Sequence, residues 1–276
     1  MSEIAVNDLN WRYGQEIVLD GVSFKVEKGK FYSILGPNGS GKTTMLKNIL
    51  KILEPDKESI YIDNKDITVM SSQDMATRVA CVPQETKIDF DFTVLDIVMM
   101  GRAPYLKRFE VEGKKDFEIA KEAMIMTNTW KFKDKSVKTL SGGERQRVVV
   151  ARAIVQQTDI LLLDEPISHL DIHHQLELLD TISYLCKEKQ LTVISVLHDI
   201  NMAAQYSDFL ILLNEGKIRD LGVAEKVITE EAIEKVYKAK CCIIKNPITN
   251  KPHIIPMGKH GEETQYGKRV YSNLYR

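Results

Sequence analysis

The chain has no apolar run approaching the ~20 residues that a membrane-spanning helix requires. Its opening, MSEIAVNDLNWRYG, has no basic stretch followed by an apolar one, so no signal peptide is expected. Cysteine is scarce. Cys81, Cys186, Cys241 and Cys242 have no metal-ligand spacing, and four thiols make no disulfide framework at this length. A soluble protein with reduced thiols, as in the cytoplasm, is expected. An excess of charge of one sign is also missing: 38 basic residues face 39 acidic ones, giving a net charge of −1. That removes the electrostatic case for nucleic acid, which needs a basic surface. Prolines are few, and there is no internal repeat, low-complexity linker or sustained heptad pattern, so solenoids and coiled coils are excluded. What remains is an ordinary globular composition, 43% apolar and 28% charged over 276 residues, enough for one large domain or two modest ones.

Hydrophobic periodicity orders the chain. IAVNDLNWRY alternates partially and is expected to form an edge strand; VSFKV alternates more clearly. KFYSILG is an apolar run ending at a glycine loop, and TTMLKNILKIL then places Met45, Leu46, Ile49, Leu50 and Leu53 at helical spacing. SIYID and RVACVPQ are short strands. From Thr93 to about Lys135 the pattern is helical, with TVLDIVMMGR and KKDFEIAKEAMIM the clearest helices. DILLLDEP and LTVISVLHD are nearly pure apolar runs, as in strands buried on both faces. QLELLDTISYLCKEK is amphipathic, DFLILLNEGKIRDLG turns as a hairpin at Asn214–Gly216, and Thr229 caps a helix over TEEAIEKVY. Strands alternating with helices imply a doubly wound parallel sheet, with a helical stretch from about 88 to 157 inserted in it. Gly36, Asp164 and His198 each follow an apolar strand, at the carboxyl edge where such sheets bind ligands.

GPNGSGKTT, Gly36–Thr44, contains the pattern G-x-x-x-x-G-K-[ST] between a strand and a helix. Gly36, Pro37, Asn38, Gly39, Ser40, Gly41 and Thr44 frame a loop whose backbone N–H groups turn inward on phosphate oxygens. Lys42 reaches the β- and γ-phosphates and Thr43 supplies a hydroxyl to Mg2+. A glycine turn that merely caps a helix is the plainer alternative, and the flanking strand and helix weigh against it. A second glycine site, LSGGERQR, begins at Leu140. Ser141 and Glu144 have capping-box form, S-x-x-E. A capping box does not ask for Gly142 and Gly143, each costing up to ~1 kcal/mol in a helix interior. Their use is an unshielded backbone that a ligand can approach, with Arg145 and Arg147 adding positive charge nearby.

LSGGERQR resembles the signature of ATP-binding cassette (ABC) ATPases, and the family's other parts follow in order over nearly the whole chain. The resemblance implies a P-loop NTPase (RecA-like) α/β core with a mixed, largely parallel sheet, an antiparallel β edge and an inserted helical subdomain. The core covers 1–87 and 158–240, the helical subdomain 88–157 and a small extension 241–276. The signature of one subunit then closes on ATP held by the phosphate loop of a second copy, so two chains sandwich two ATP head to tail. Asp164 would hold Mg2+ and Glu165 act as general base on the attacking water. Gln84 resembles the glutamine that contacts Mg2+ and water, His198 the switch histidine on the γ-phosphate, Asp171 the dimer-contact acid, and Tyr13 the aromatic that stacks on adenine. For the lone residues the alternatives are a surface glutamine, a structural histidine and a strand-edge tyrosine. Glu144 stands where many members have glutamine, and Asp159 where many have proline. His169, His173 and His174 have spacing open to a metal, but they fall at the dimer-contact loop, where solvent or the second copy is the plainer destination. Lys131, Lys133, Lys135 and Lys138 form a solvated basic run.

Phe92–Leu106 and the ending NPITNKPHIIP resemble the ATPase subunits of iron-siderophore, haem and cobalamin importers. That implies an integral-membrane permease dimer as partner, a substrate-binding protein acting indirectly, and a peripheral location at the cytoplasmic face of the cell membrane. The run Val98–Tyr105 would lie near a groove for a permease helix, with Arg102 and Tyr105 as contacts and Val98, Met99 and Met100 as core. The alternatives are a soluble ABC ATPase of the iron–sulfur cluster assembly type and an exporter subunit. Repair versions carry coiled coils and ribosomal ones two cassettes, which this chain lacks.

Overall fold

The computed structural model describes residues 2–84, 91–168 and 170–258. The chain opens with two long strands, β1 (Ser2–Tyr13) and β2 (Glu16–Glu27). β3 (Phe31–Leu35) then runs into helix α1 (Lys42–Ile49), followed by β4 (Ile60–Ile62), β5 (Lys65–Asp66), α2 (Ser72–Arg78) and β6 (Val79–Val82). Three helices come next, α3 (Val94–Met99), α4 (Lys114–Met126) and α5 (Gly142–Ile154), joined by short 3-10 turns. β7 (Ile160–Asp164), α6 (Ile172–Lys189), β8 (Thr192–Val196) and α7 (Ile200–Tyr206) return to the core. The chain continues through the hairpin β9 (Phe209–Asn214) and β10 (Lys217–Gly222), helices α8 (Ala224–Val227) and α9 (Glu230–Tyr237), and the hairpin β11 (Cys241–Lys245) and β12 (Pro252–Pro256).

The main sheet has the order β10-β9-β3-β8-β7-β6. Every pairing in it is parallel except that of β10 with β9. Its central strands are buried on both faces, and their alternation divides the core in two. Phe31, Leu35, Leu161, Leu163, Val193 and Leu212 face one side, against Val149, Leu179, Ile182 and Ala203 of helices α5, α6 and α7. Tyr32, Ile34, Leu162, Ile194, Ile211 and Leu213 face the other, against Met45, Leu46 and Ile49 of α1 and the apolar face of a smaller sheet. Period-two alternation between two apolar layers leaves room for few polar residues, here small buried ones such as Ser33 and Ser195, so such strands appear in sequence as nearly continuous apolar runs.

The smaller sheet, β2-β1-β4-β5, is antiparallel. It corrects the expectation of an edge strand at the amino end. β1 lies inside the sheet, with Ile4 facing Val26 of β2 and Ile62 of β4. Its alternation is partial in sequence because the register shifts between Val6 and Leu9, where Asp8 has φ 46°. Helix α1 is shorter than its apolar spacing suggests. It closes at Ile49, Lys51 turns left-handed at φ 55°, and Ile52 beyond it is 66% exposed.

Helices α3, α4 and α5 enclose an apolar cluster of their own, built on Val94, Ile97, Val98, Ala123, Met124, Val148 and Val155. Capping boxes begin two of the helices, Thr93 with Asp96 and Ser141 with Glu144. Arg102 corrects a second expectation. It is 6% exposed and so presents no contact to a partner. Its Nε donates to Asp116 Oδ1 at 2.8 Å and Nη1 donates to the Val155 carbonyl at 3.0 Å, tying the turn after α3 to the start of α4 and the end of α5. Hydrogen bonds from the Gly113 amide and then Arg102 hold the Asp116 carboxyl below its usual range. Arg102→Ala strands that carboxylate and the carbonyl, and should destabilise the fold by about 3 kcal/mol in denaturant titration.

Candidate active site

The carboxyl ends of β3, β8, β7 and β6 stand side by side, because Ile34 and Asp164 both pair with Val196, and Leu163 pairs with Val82. That edge collects the segments singled out in the sequence. After β3 the backbone turns at Gly36, whose φ of 153° and surroundings admit no side chain: a Cβ there would meet the Leu213 carbonyl at 2.1 Å. Gly41, at φ 102°, starts α1 and lies against Val18 and Leu19 of β2. The loop thus sits in contact with the hairpin that carries Tyr13, which is half-exposed and edge-on to Trp11. The Ser40 hydroxyl is buried in this loop without a hydrogen-bond partner, an orphan suited to a phosphate oxygen. Tyr237 of α9 reaches the Gly36 backbone, a contact no local pattern announces, and burial pushes its phenol up to about 12.

Lys42 is buried at the loop mouth, its ammonium donating to the Gly36 carbonyl at 2.9 Å and the Pro37 carbonyl at 2.8 Å. Burial lowers its pKa, opposed by the charges of Glu165 and Asp164. The Thr43 hydroxyl donates to Asp164 Oδ1 at 3.2 Å. Burial raises the Asp164 carboxyl above its usual range, the Thr43 bond works against this, and the neighbouring Glu165 adds to it. A hydroxyl and a buried carboxylate in contact are hard oxygen donors of the kind Mg2+ takes, so these residues fit that ion. Gln84, two residues beyond Val82, is exposed at the same edge.

Glu165 leaves β7 in the left-handed region, φ 53°, which costs a non-glycine residue about 1 kcal/mol or more. Its amide donates to the Val196 carbonyl at 3.2 Å, and its Oε1 lies 2.6 Å from His198 Nε2. The strained backbone is therefore held from β8, and the carboxylate is held by the histidine after β8.

The signature residues are positioned elsewhere. Ser141 Oγ accepts from the Glu144 amide at 3.3 Å, and Glu144 Oε2 accepts from the Ser141 amide at 2.8 Å. A Cβ added at Gly142 would meet nothing within 4 Å, so nothing in this chain requires glycine there. Among the described residues no hydrogen bond or ion pair joins the segment 140–143 to the phosphate loop. Arg147, one of the two arginines beside these glycines, lies inside the fold. It is 3% exposed, and its Nε and Nη1 have no partner. Asp171 caps α6, its Oδ1 accepting from the His174 amide at 3.0 Å. His169 lies outside the described residues.

A groove of about 490 Å3 separates the helical unit from the core, lined by Ile52, Met75, Ala76, Met100, Pro104 and Gln156 among others. Met100 is 42% exposed and faces this groove rather than a core, contrary to its expected packing, and Tyr105 at its border donates to the Gln156 carbonyl at 2.7 Å. Val98 is core, as its spacing implied. Burial pushes the thiol of Cys81, which lines the groove, up to about 12, away from the thiolate form. No helix among the described residues is long and apolar enough to cross a membrane.

Comparison with known proteins points the same way. Residues 19–168 match the ABC transporter family. The ferric enterobactin transport ATP-binding protein FepC of Escherichia coli K12 is 38% identical over 252 residues, 91% of this chain and 93% of that one. Among solved structures, a chain of an inward-facing transporter assigned to the metal-chelate type superposes with a TM-score of 0.81 at 26% identity, covering 94% of this chain and 98% of its own. A dimeric cassette, MJ0796 in a post-hydrolysis state with ADP and Pi, gives a TM-score of 0.70 at 28% identity, covering 80% and 98%.

Proposed function

The chain belongs to the ABC transporter ATP-binding family and is an ATPase, and from that premise we propose that it powers the uptake of a metal chelate, a ferric siderophore in the first instance, as one of two identical subunits beneath a membrane permease. Haem and cobalamin are the neighbouring substrates of the same reading. FepC, a ferric enterobactin transport protein that matches 91% of this chain, supports the siderophore assignment.

The observation that carries the mechanism is the incompleteness of each half. Phosphate loop, paired acids and His198 share one edge, whereas Gly142 presents bare backbone to open space with no use for it inside the chain. A second copy supplies the use. ATP bound on the amides of Gly36–Thr43 and the amino end of α1 is covered by Ser141, Gly142 and Gly143 of the second copy, and Asp171 lies at the contact. Tyr13 stacks on the adenine. Lys42 exchanges its two carbonyl partners for phosphate oxygens, a swap of like bonds that costs little. Thr43, Asp164 and Gln84 would hold Mg2+, which would supply positive charge beside the phosphates. Glu165 accepts the proton of the attacking water while His198, 2.6 Å away, orients its carboxylate and reports the γ-phosphate. Closure of the two chains moves the helical units, and hydrolysis reopens them.

The permease is assigned to the groove between α2 and the turn after α3, where Ile52 and Met100 offer apolar contact that the chain itself leaves uncovered. Ile52→Asp, on an exposed position, should leave the ATPase rate of the isolated chain within about twofold, since surface substitutions perturb stability by less than about 0.5 kcal/mol. It should also abolish recovery of the permease from detergent extract. Pull-down of a multi-helix membrane protein by the wild-type chain tests the transport reading as a whole; capture of a soluble scaffold alone would favour a cluster-assembly ATPase.

A further inference from the structure

The first turns of α6 carry three side chains whose donor atoms converge. Glu177 stands four residues after His173 and three after His174, so all three rise from one face of the helix. Glu177 Oε1 lies 3.5 Å from His173 Nε2, and Glu177 Oε2 lies 3.0 Å from His174 Nδ1. One donor atom from each residue falls within 4.8 Å of the other two. Two imidazole nitrogens and a carboxylate oxygen at such separations suit a common centre with bonds of about 2.0–2.2 Å. The remaining ring nitrogen of His174, Nε2, lies 4.0 Å from Asp171 Oδ2. A carboxylate behind a ligating histidine orients the ring and raises its basicity. The Asp171 cap uses Oδ1, which leaves Oδ2 for this role. Electrostatics agree: Glu177 and Asp171 set two negative charges against the positive amino end of the helix, which would otherwise disfavour a cation.

We propose that His173, His174 and Glu177 bind a divalent transition-metal ion, with Asp171 positioning His174. Two imidazoles and one carboxylate select the zinc, nickel and ferrous class over Mg2+ and Ca2+, which take oxygen ligands. The exposed ring of His173 gives the ion an entry path and an open coordination position. The site is independent of the reading of this chain as a transport ATPase, but its location joins two parts of that machinery. Asp171 precedes it at the cap of α6, and Glu177 lines a cavity of about 390 Å3 together with Arg147 of α5, the buried guanidinium with two unpartnered nitrogens. An ion on Glu177 therefore sits between the dimer-contact acid and the signature helix.

The full chain, free of nucleotide and Mg2+, is titrated with Zn2+ against a chromophoric chelator and with Co2+ followed by its visible absorption. One ion per chain is expected, unaffected by Mg2+. His173→Ala and His174→Ala should each weaken binding by at least about tenfold, and Asp171→Asn by less, since its Oδ2 stands 4.0 Å from His174 Nε2 and acts through charge rather than a hydrogen bond. The two histidines lie in the first turn of α6 and Asp171 at its cap, and unchanged thermal unfolding of the variants confirms that they fold. Wild-type binding no tighter than that of the His173→Ala/His174→Ala double variant overturns the proposal. So does a cobalt–thiolate charge-transfer band, which would assign the ion to cysteine.

Discussion

Glu165→Gln should lower the rate of ATP turnover about a thousandfold, within the range that a positioned general base contributes, while ATP affinity stays within about twofold. The amide keeps the shape of the side chain, and it can still hydrogen-bond His198 across the observed 2.6 Å contact. What it loses is the capacity to take a proton from water. Because the phosphate loop and the Ser141–Gly143 end are untouched, the variant should accumulate as an ATP-bridged dimer. Phosphate release measures the first effect and size-exclusion chromatography with ATP the second. A variant that stays monomeric at every ATP concentration contradicts the shared-nucleotide arrangement. Adding Gly142→Asp sharpens the test. No atom lies within 4 Å of the position a Cβ would take, so the chain alone tolerates the change. In a closed pair, the carboxylate would face the γ-phosphate of the nucleotide held by the second copy, and the dimer peak should disappear.

Lys42→Ala should weaken ATP binding about a hundredfold, the equivalent of ~2.7 kcal/mol for a lost charge-assisted hydrogen bond to phosphate. Burial already lowers the pKa of this ammonium, and the nearby charges of Glu165 and Asp164 oppose that shift. Removing it leaves those two acids facing the triphosphate with one lysine fewer, Lys47 being the other whose charge acts on Asp164. The lysine also ties the carbonyls of Gly36 and Pro37, so a looser loop is a second route to weaker binding. Thermal unfolding separates the two causes, since a loop effect lowers the melting temperature without nucleotide. Calorimetric titration with ATP that shows undiminished affinity would falsify the assigned role.

Much of this arrangement is legible along the chain. The phosphate loop, the Asp164–Glu165 pair and the signature helix are visible because phosphate chemistry needs particular residue types at adjoining positions, and adjoining positions are what a sequence displays. The strands DILLLDEP and LTVISVLHD are equally plain, since burial on both faces makes them mostly apolar, with only Thr192 and Ser195 as small polar residues in the second. Contacts between distant segments are not legible. Arg102 reads as a surface residue until Asp116 and the Val155 carbonyl are seen around it. Spacing assigns Met100 to the core, yet the 3-10 turn after α3 rotates it into the groove. Asn201 gives no signal at all, although its side chain both donates to and accepts from the Ile254 backbone, extending β12 as a strand would. Glu177 carries no motif of its own, because only its helical offset from His173 and His174 brings three donors together.

The sequence by itself displays the candidate site residues and their order along the chain: the glycine loop Gly36–Thr44, the glycine-bare helix end at Ser141–Gly143, the acids Asp164 and Glu165, and His198. Each depends on local residue identity, which folding does not alter. Tertiary structure alone decided where charge is buried and which apolar side chains remain uncovered. Those follow from which remote segments meet, and hydropathy along a line cannot distinguish a solvated arginine from one enclosed with its carboxylate.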